Sequence, residues 1–249
     1  MSLVWLDGAK VGADLFGSLA GDLHLWLVNL DQASGVRQSL MRHLSAAELQ
    51  RCRRYVHQRL RNRNAVARGV LRDILARYVG VDPAQLEFEY GEHGKPALST
   101  GGVSFNLSHS GGWAVVAVIN EGAVGVDIEV LRNDLDVEAL AQRYFHPREA
   151  EMVVSEQGEA RRRMFFRCWT VKESYLKMVG VGLSGSLGGV GVDLKNTSKQ
   201  RVMVSGSLGG ANVESLVFHC DGEEVCMAYA AERGFGEVRR IAWEPCRLV

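Results

Sequence analysis

Gly125-Val-Asp-Ile-Glu-Val130 alternates apolar and acidic side chains without a break. Successive side chains of a β-strand point to opposite faces, so Val126, Ile128 and Val130 share one face and Asp127 and Glu129 the other. Two carboxylates two residues apart make a compact patch of negative charge. Hard, oxygen-seeking cations suit such a patch, and magnesium is usually held by one or two carboxylates plus substrate phosphates. A half-exposed strand that shows acids to water reads the same way. The segment alone leaves both readings open.

Upstream of this strand lie two more strand-like runs, Val103 to Leu107 and Ala114 to Ile119, joined by a Gly-rich turn. Further upstream, Leu23 to Val28 reads as a strand, and Ser45 with Glu48 as a capping box that opens a long helix. Val66, Val70, Ile74 and Tyr78 recur at helical spacing and predict that helix's buried stripe, which Gly80 ends. Downstream, a helix is predicted to begin near Asp136, and Pro147 marks a second helix's first turn. A third runs from about Glu159 to Val179 and stops at Gly180. The tail reads as strands at Gly191 to Leu194, Arg201 to Ser205, Ser215 to His219 and Val225 to Ala231. Long helices beside short strands in each half predict an α+β fold of two similar lobes, residues 1–120 and 121–249. Each lobe is expected to be a small, mostly antiparallel sheet packed with a long helix, and the site to lie in the cleft between them.

The third helix carries Trp169, Glu173 and Lys177 four residues apart, hence on one face. Glu173 and Lys177 would form an ordinary surface ion pair if they faced water. Near Asp127 and Glu129, Glu173 would instead serve as a third metal ligand or a general base, and Lys177 would meet a departing phosphate. Six arginines at 51, 53, 54, 59, 61 and 63 read mostly as a solvated face, with one or two able to fork onto phosphate. Gly94-Lys95-Pro96 sets a cation on a stiff turn. Ser108-His109-Ser110-Gly111-Gly112-Trp113 puts a histidine between two hydroxyls beside glycines that let backbone approach a ligand. No nearby acid pairs with His109 in sequence as a hydrolase triad would need, and no G-x-S-x-G elbow exists, so a phosphate contact fits better than a nucleophile.

Composition narrows the class. Twenty-nine basic and 29 acidic side chains balance, which argues against a general nucleic-acid binder. Five cysteines without a CxxC pair indicate neither a disulfide framework nor a zinc site. Apolar runs such as Ala114 to Ile119 are far too short to span a bilayer, and MSLVWLDGAK lacks the features of a signal peptide. These readings predict a reduced, cytoplasmic protein with no membrane attachment.

Taken in order, the motifs resemble the phosphopantetheinyl transferase superfamily, in its surfactin-synthetase-activating, single-chain pseudo-dimeric type. The pieces are Phe105-Asn-Leu-Ser-His-Ser110 with Gly111 and Trp113, Gly125-Val-Asp-Ile-Glu129, and Phe166-x-x-Trp-Thr-x-Lys-Glu-Ser174 with Lys177 and Gly180-Val-Gly-Leu183. Gly94-Lys-Pro96 and Cys52-Arg-Arg-Tyr55 also look like the family. The resemblance implies transfer of the phosphopantetheine arm of coenzyme A to a serine of an apo acyl, peptidyl or aryl carrier protein, with release of 3′,5′-ADP. It implies Asp127, Glu129 and Glu173 as ligands of magnesium, with manganese as a substitute, and Glu173, Lys177 and Asp127 as the catalytic set. His109 and Ser108 would touch coenzyme A phosphate. Lys95 and Arg63 look like contacts to the nucleotide end and its 3′-phosphate, Arg51 like a further basic contact, and Lys172 like a side chain that reaches the cofactor. The carrier would dock around Phe165 or the loop after Leu107. One departure stands out: Glu48 sits where some relatives carry a lysine. A single chain with both halves of the site is expected to act as a monomer. The same carboxylates would serve a magnesium-dependent phosphohydrolase, and a coenzyme A-binding module without activity would share the fold.

Overall fold

The computed structural model describes residues 5–8, 19, 21–181, 187–193, 199–204 and 211–245. Gly182, Leu183, Leu194, Ser205, Cys246 and the first four residues, which figure in the sequence reading, lie outside the described residues.

The first sheet runs in the order β1 (Leu6–Asp7), β12 (Val238–Ala242), β2 (Leu23–Asn29), β6 (Trp113–Ile119), β5 (Ser104–Ser110). The second runs β7 (Val124–Val130), β11 (Glu223–Ala231), β10 (Asn212–Cys220), β9 (Lys199–Val204), β8 (Val190–Asp193). A short ribbon pairs β3 (Phe88–Tyr90) with β4 (Pro96–Leu98). All pairings of the second sheet are antiparallel. The first is mixed, because β12 returns from the end of the chain to lie parallel to β2, and β1 parallel to β12.

Among the described residues, three α-helices accompany each sheet, and the two sets match. In the first lobe they are α1 (Ser34–Met41), α2 (Ala46–Arg53) and α3 (Gln58–Val79); in the second, α4 (Val137–Tyr144), α5 (Pro147–Ser155) and α6 (Gly158–Val179). α2 and α5 each open on a capping box, at Ser45 with Glu48 and at His146 with Glu149. α3 and α6 are each 22 residues long and end on a left-handed glycine, Gly80 and Gly180. The expected α+β pseudo-dimer is therefore present.

The single long helix predicted after Ser45 is instead two. Its capping box forms as read, but α2 stops at Arg53 and the chain turns before α3 begins at Gln58. Glu48 explains the break, because its carboxylate meets the Arg72 guanidinium at 2.8 Å. On one straight helix, residues 24 apart would lie roughly 36 Å from each other. Only a bend brings them together, and Cys52 packs with Ala65 and Leu44 at the same corner.

The sheets stack between α3 and α6. Val66, Val70 and Ile74 of α3 pack on Trp26, Val28, Val116 and Val118, on the outer face of the first sheet. Phe165, Val171 and Tyr175 of α6 pack on Cys226, Ala228 and Ala230, on the outer face of the second. The inner faces meet through Leu23, Leu25, Val115, Ala117, Val126, Ile128, Met227 and Tyr229. Fully burying one such side chain is worth roughly 1.5–3 kcal/mol. Parting the lobes would expose the whole layer, so they share one core.

His24 lies on the outer face of β2, fully buried, with its Nδ1 2.7 Å from the Tyr78 hydroxyl. Burial, then the charge of Arg239, holds its pKa down to about 4. The fold thus keeps this imidazole neutral while the unfolded chain takes up a proton near pH 6.5. Stability should be full above pH 6.5 and fall as the pH drops toward 4, by up to roughly 3 kcal/mol. Urea unfolding at pH 7 and pH 4.5 reads the loss directly. In His24→Gln that pH dependence should flatten, and an equally steep loss would assign it to other groups.

Candidate active site

Gly125 decides how close α6 comes to β7. A Cβ at that position would sit 2.0 Å from the Ser174 carbonyl oxygen and 2.3 Å from the Met178 nitrogen. Bare backbone contact lets the helix lie directly on the strand and lowers Glu173 and Lys177 onto the acidic face that Asp127 and Glu129 share. From the other lobe, β5 lies against the free edge of β7. Asn106, Ser108 and Ser110 point to one face of β5, as alternation requires.

These elements converge on one cluster. The Lys177 ammonium donates to Asp127 Oδ1 at 2.5 Å and to Ser108 Oγ at 2.8 Å. The Ser108 hydroxyl in turn donates to Asp127 Oδ1 at 2.8 Å. Ser110 donates to Glu129 Oε2 at 2.6 Å. Burial, then the negative charge of Asp127, pushes Glu129 up to about 7 and raises Glu173 as well. Asp127 Oδ2 and Glu173 Oε1 are buried without a hydrogen-bond partner among the described residues. A native fold rarely leaves buried polar atoms unpaired without a reason. Three carboxylates that repel one another, two with an orphaned oxygen, form a hard donor set that a divalent cation would satisfy. Among the described residues no three acid, histidine or cysteine side chains stand in metal-holding geometry as they are, and the Lys177 ammonium holds one Asp127 oxygen.

The other expected contacts divide. His109 follows Ser108 on β5 and is exposed as a residue, yet enough protein crowds its ring to lower its pKa, helped by Lys177 and Arg68. Arg51 stacks 5.0 Å over the Tyr90 ring and lines a cavity of about 290 Å³ with Glu48, Arg54, Tyr55, Asn64 and Arg68. Arg63 forks onto Asp31 at 2.8 and 2.6 Å. Lys95 donates to the carbonyls of Val124 and Met178 at 2.9 and 2.8 Å, and burial lowers it to about 8. It ties the start of β7 to the end of α6.

Two expectations need correction. Lys172 does not share the cluster: it is fully buried on another side of α6, paired with Glu149 at 2.7 Å and donating to the carbonyls of Leu187 and Val190. Adjacent helix positions point about 100° apart, so Glu173 and Lys172 cannot serve one site face. Phe165 is 2% exposed, stacked on Phe145 and beside Trp169, and so offers no docking surface. After Leu107 the strand β5 runs on to Ser110, so the loop there shrinks to the turn of Gly111 and Gly112. Sequence reading missed Asn106, Ser110 and Arg68 as functional neighbours. The period-two spacing of Asn106, Ser108 and Ser110 was the available signal.

Fold and site together define a pseudo-dimeric enzyme whose halves both contribute side chains to one interlobe cluster. The family model described as the 4′-phosphopantetheinyl transferase superfamily matches residues 123–230, and that of the 4′-phosphopantetheinyl transferase N-terminal region matches 34–121. The 4′-phosphopantetheinyl transferase HetI of Nostoc sp. is 37% identical over 231 residues, covering 91% of this chain and 92% of its own length. A 4′-phosphopantetheinyl transferase of Bacillus subtilis is 32% identical over 166 residues, 66% of this chain and 72% of that protein. Another from that species, Sfp, is 28% identical over 148 residues, 59% of this chain and 65% of its own. This chain belongs to the 4′-phosphopantetheinyl transferase superfamily.

Proposed function

We propose that the enzyme moves the 4′-phosphopantetheine arm of coenzyme A onto a serine of an apo acyl, peptidyl or aryl carrier protein. The observation that carries the reading is the carboxylate trio at the lobe seam, Asp127 and Glu173 buried and Glu129 half-buried, with orphaned oxygens on Asp127 and Glu173 and the Lys177 ammonium in contact. The serine oxygen attacks the β-phosphorus, the bond from that phosphorus to the bridging oxygen breaks, and 3′,5′-ADP departs. Little covalent work falls to the protein in phosphoryl chemistry of this kind, so positioning and charge neutralisation dominate. Glu173 accepts the serine proton, its basicity raised by burial and by Asp127. Such a role is typically worth about 10²–10⁴ in rate. Lys177 faces the departing phosphate with positive charge, and His109, Ser108, Arg51, Arg63 and Lys95 supply donors toward coenzyme A. Asp127, Glu129 and Glu173 would hold magnesium, or manganese in its place, whose charge would offset that of the pyrophosphate.

The working unit is one chain divided at 120/121, with β12 crossing back, acting as a cytoplasmic monomer. Among the described residues no helix is long and apolar enough to cross a membrane. The test is to incubate the purified protein with an apo carrier domain, coenzyme A and magnesium and to weigh the carrier by intact-mass spectrometry. A gain of one phosphopantetheine arm, abolished by EDTA, is expected. No gain with carriers of all three kinds would overturn the reading.

A further inference from the structure

We propose that Ser110 is a positioning residue that aims Glu129 for divalent-cation binding, an inference resting on the transferase reading above. β7 is an edge strand of its sheet, hydrogen-bonded to β11 on one side only. Its other edge meets side chains of β5 rather than another ladder. Asn106 Oδ1 accepts the Val126 N–H at 2.9 Å, and Ser110 Oγ accepts the Val130 N–H at 3.2 Å. A serine hydroxyl has one proton to give. With the Val130 N–H on its lone pair, that proton is directed to Glu129 Oε2, 2.6 Å away.

The backbone of β7 therefore fixes the hydroxyl, and the hydroxyl fixes one oxygen of the carboxylate. Gly111, with φ 57°, follows Ser110 in the left-handed region that favours glycine, and a Cβ there would lie 2.9 Å from Val130 Cγ2, crowding the strand end that Ser110 contacts. Ser110 differs from Ser108 in chemical role. Ser108 also contacts the Lys177 ammonium, whereas Ser110 is hydrogen-bonded to Glu129 and to the backbone beside it. Charge repulsion from Asp127 would otherwise turn the Glu129 carboxylate away, toward solvent. The hydroxyl opposes that turn, and it comes from the other lobe. The seam between lobes thereby sets the alignment of the cation site.

Outer hydrogen bonds to metal ligands typically matter by roughly 10–100-fold in metal affinity or activity. The experiment titrates Mn²⁺ into the full-length protein saturated with coenzyme A, without carrier, and follows free Mn²⁺ by electron paramagnetic resonance. Ser110→Ala should weaken Mn²⁺ binding about tenfold while leaving the melting temperature and the coenzyme A affinity near those of the unsubstituted protein. Ser110→Thr, which keeps the hydroxyl, should bind Mn²⁺ as the unsubstituted protein does. At saturating Mn²⁺, the arm-transfer rate of Ser110→Ala should recover, so that the defect lies in the cation requirement and not in turnover. An unchanged isotherm for Ser110→Ala overturns the proposal, as does an equal loss in both variants, which would mark a packing role. If the unsubstituted protein transfers the arm yet binds no Mn²⁺, the proposal fails and the transferase reading stands; if it transfers nothing, both fail.

Discussion

Asp127→Asn should lose arm transfer by at least about 10²–10³-fold while melting at the same temperature as the parent or above it. The two halves of this expectation come from one arrangement. Asparagine keeps the shape of the side chain and an oxygen for the Ser108 hydroxyl and the Lys177 ammonium, which now meet Asp127 Oδ1 at 2.8 and 2.5 Å. What it removes is the negative charge that raises both Glu129 and Glu173. Three carboxylates held together at the seam, Asp127 and Glu173 of them buried, repel one another and cost the fold stability. A folded state relieved of one charge need not fall in stability, although the broken ion pair with Lys177 takes back part of the gain. With Asp127 neutral, Glu129 should titrate below its present value of about 7. Carboxyl carbon shifts followed by NMR against pH would show this. Intact-mass assays of the carrier, with differential scanning calorimetry of the enzyme, read the other two quantities. Near-normal transfer would remove Asp127 from the active set, and a collapsed melting temperature would make it a structural residue instead.

Much of this site is legible in the sequence alone, and the reason is local. Alternation over Gly125 to Val130 states which residues share a face, and helical spacing states that Glu173 and Lys177 do. Caps are local too, which is why Ser45, Asp136, Pro147, Gly80 and Gly180 all mark helix ends as read. Features that depend on distant partners were not legible. Val238–Ala242 carries two arginines among its five residues and becomes a strand by lying parallel to β2, more than 200 residues earlier. The break between α2 and α3 follows from Glu48 reaching Arg72, a pairing that no window of the sequence shows. Glu48 faces inward in this chain and completes a buried ion pair.

Lys172→Met should destabilise the protein by about 3–5 kcal/mol, the usual consequence of removing one partner of a buried pair, and leave the KM for coenzyme A unchanged. Both ends of the pair are buried, and Glu149 has other duties. Its Oε2 accepts the His146 N–H at 2.9 Å in the capping box of α5, and its Oε1 accepts the Val192 N–H at 2.6 Å. Stripped of the Lys172 ammonium, this carboxylate would remain fixed in the core with an uncompensated charge. The duplication in the fold argues the same way. Glu48 is the third residue of α2 and pairs with Arg72 on α3; Glu149 is the third residue of α5 and pairs with Lys172 on α6. Each lobe thus pins its capped helix to its long helix with an acid on one and a base on the other. Arg72 also donates to the carbonyls of Pro83 and Leu86, as Lys172 does to those of Leu187 and Val190. The lysine in the Trp-Thr-Val-Lys-Glu motif therefore answers to Arg72 rather than to a phosphate. Glu149→Gln in the Lys172→Met background removes the orphaned charge but keeps an acceptor for an N–H, so it should recover part of the loss. Denaturant melts of the two variants, with coenzyme A titrations at a temperature where both are folded, separate the roles. A raised KM with unchanged stability would place Lys172 on coenzyme A after all, whereas lost stability with an intact KM fixes it as the second lobe's copy of the Arg72 pin.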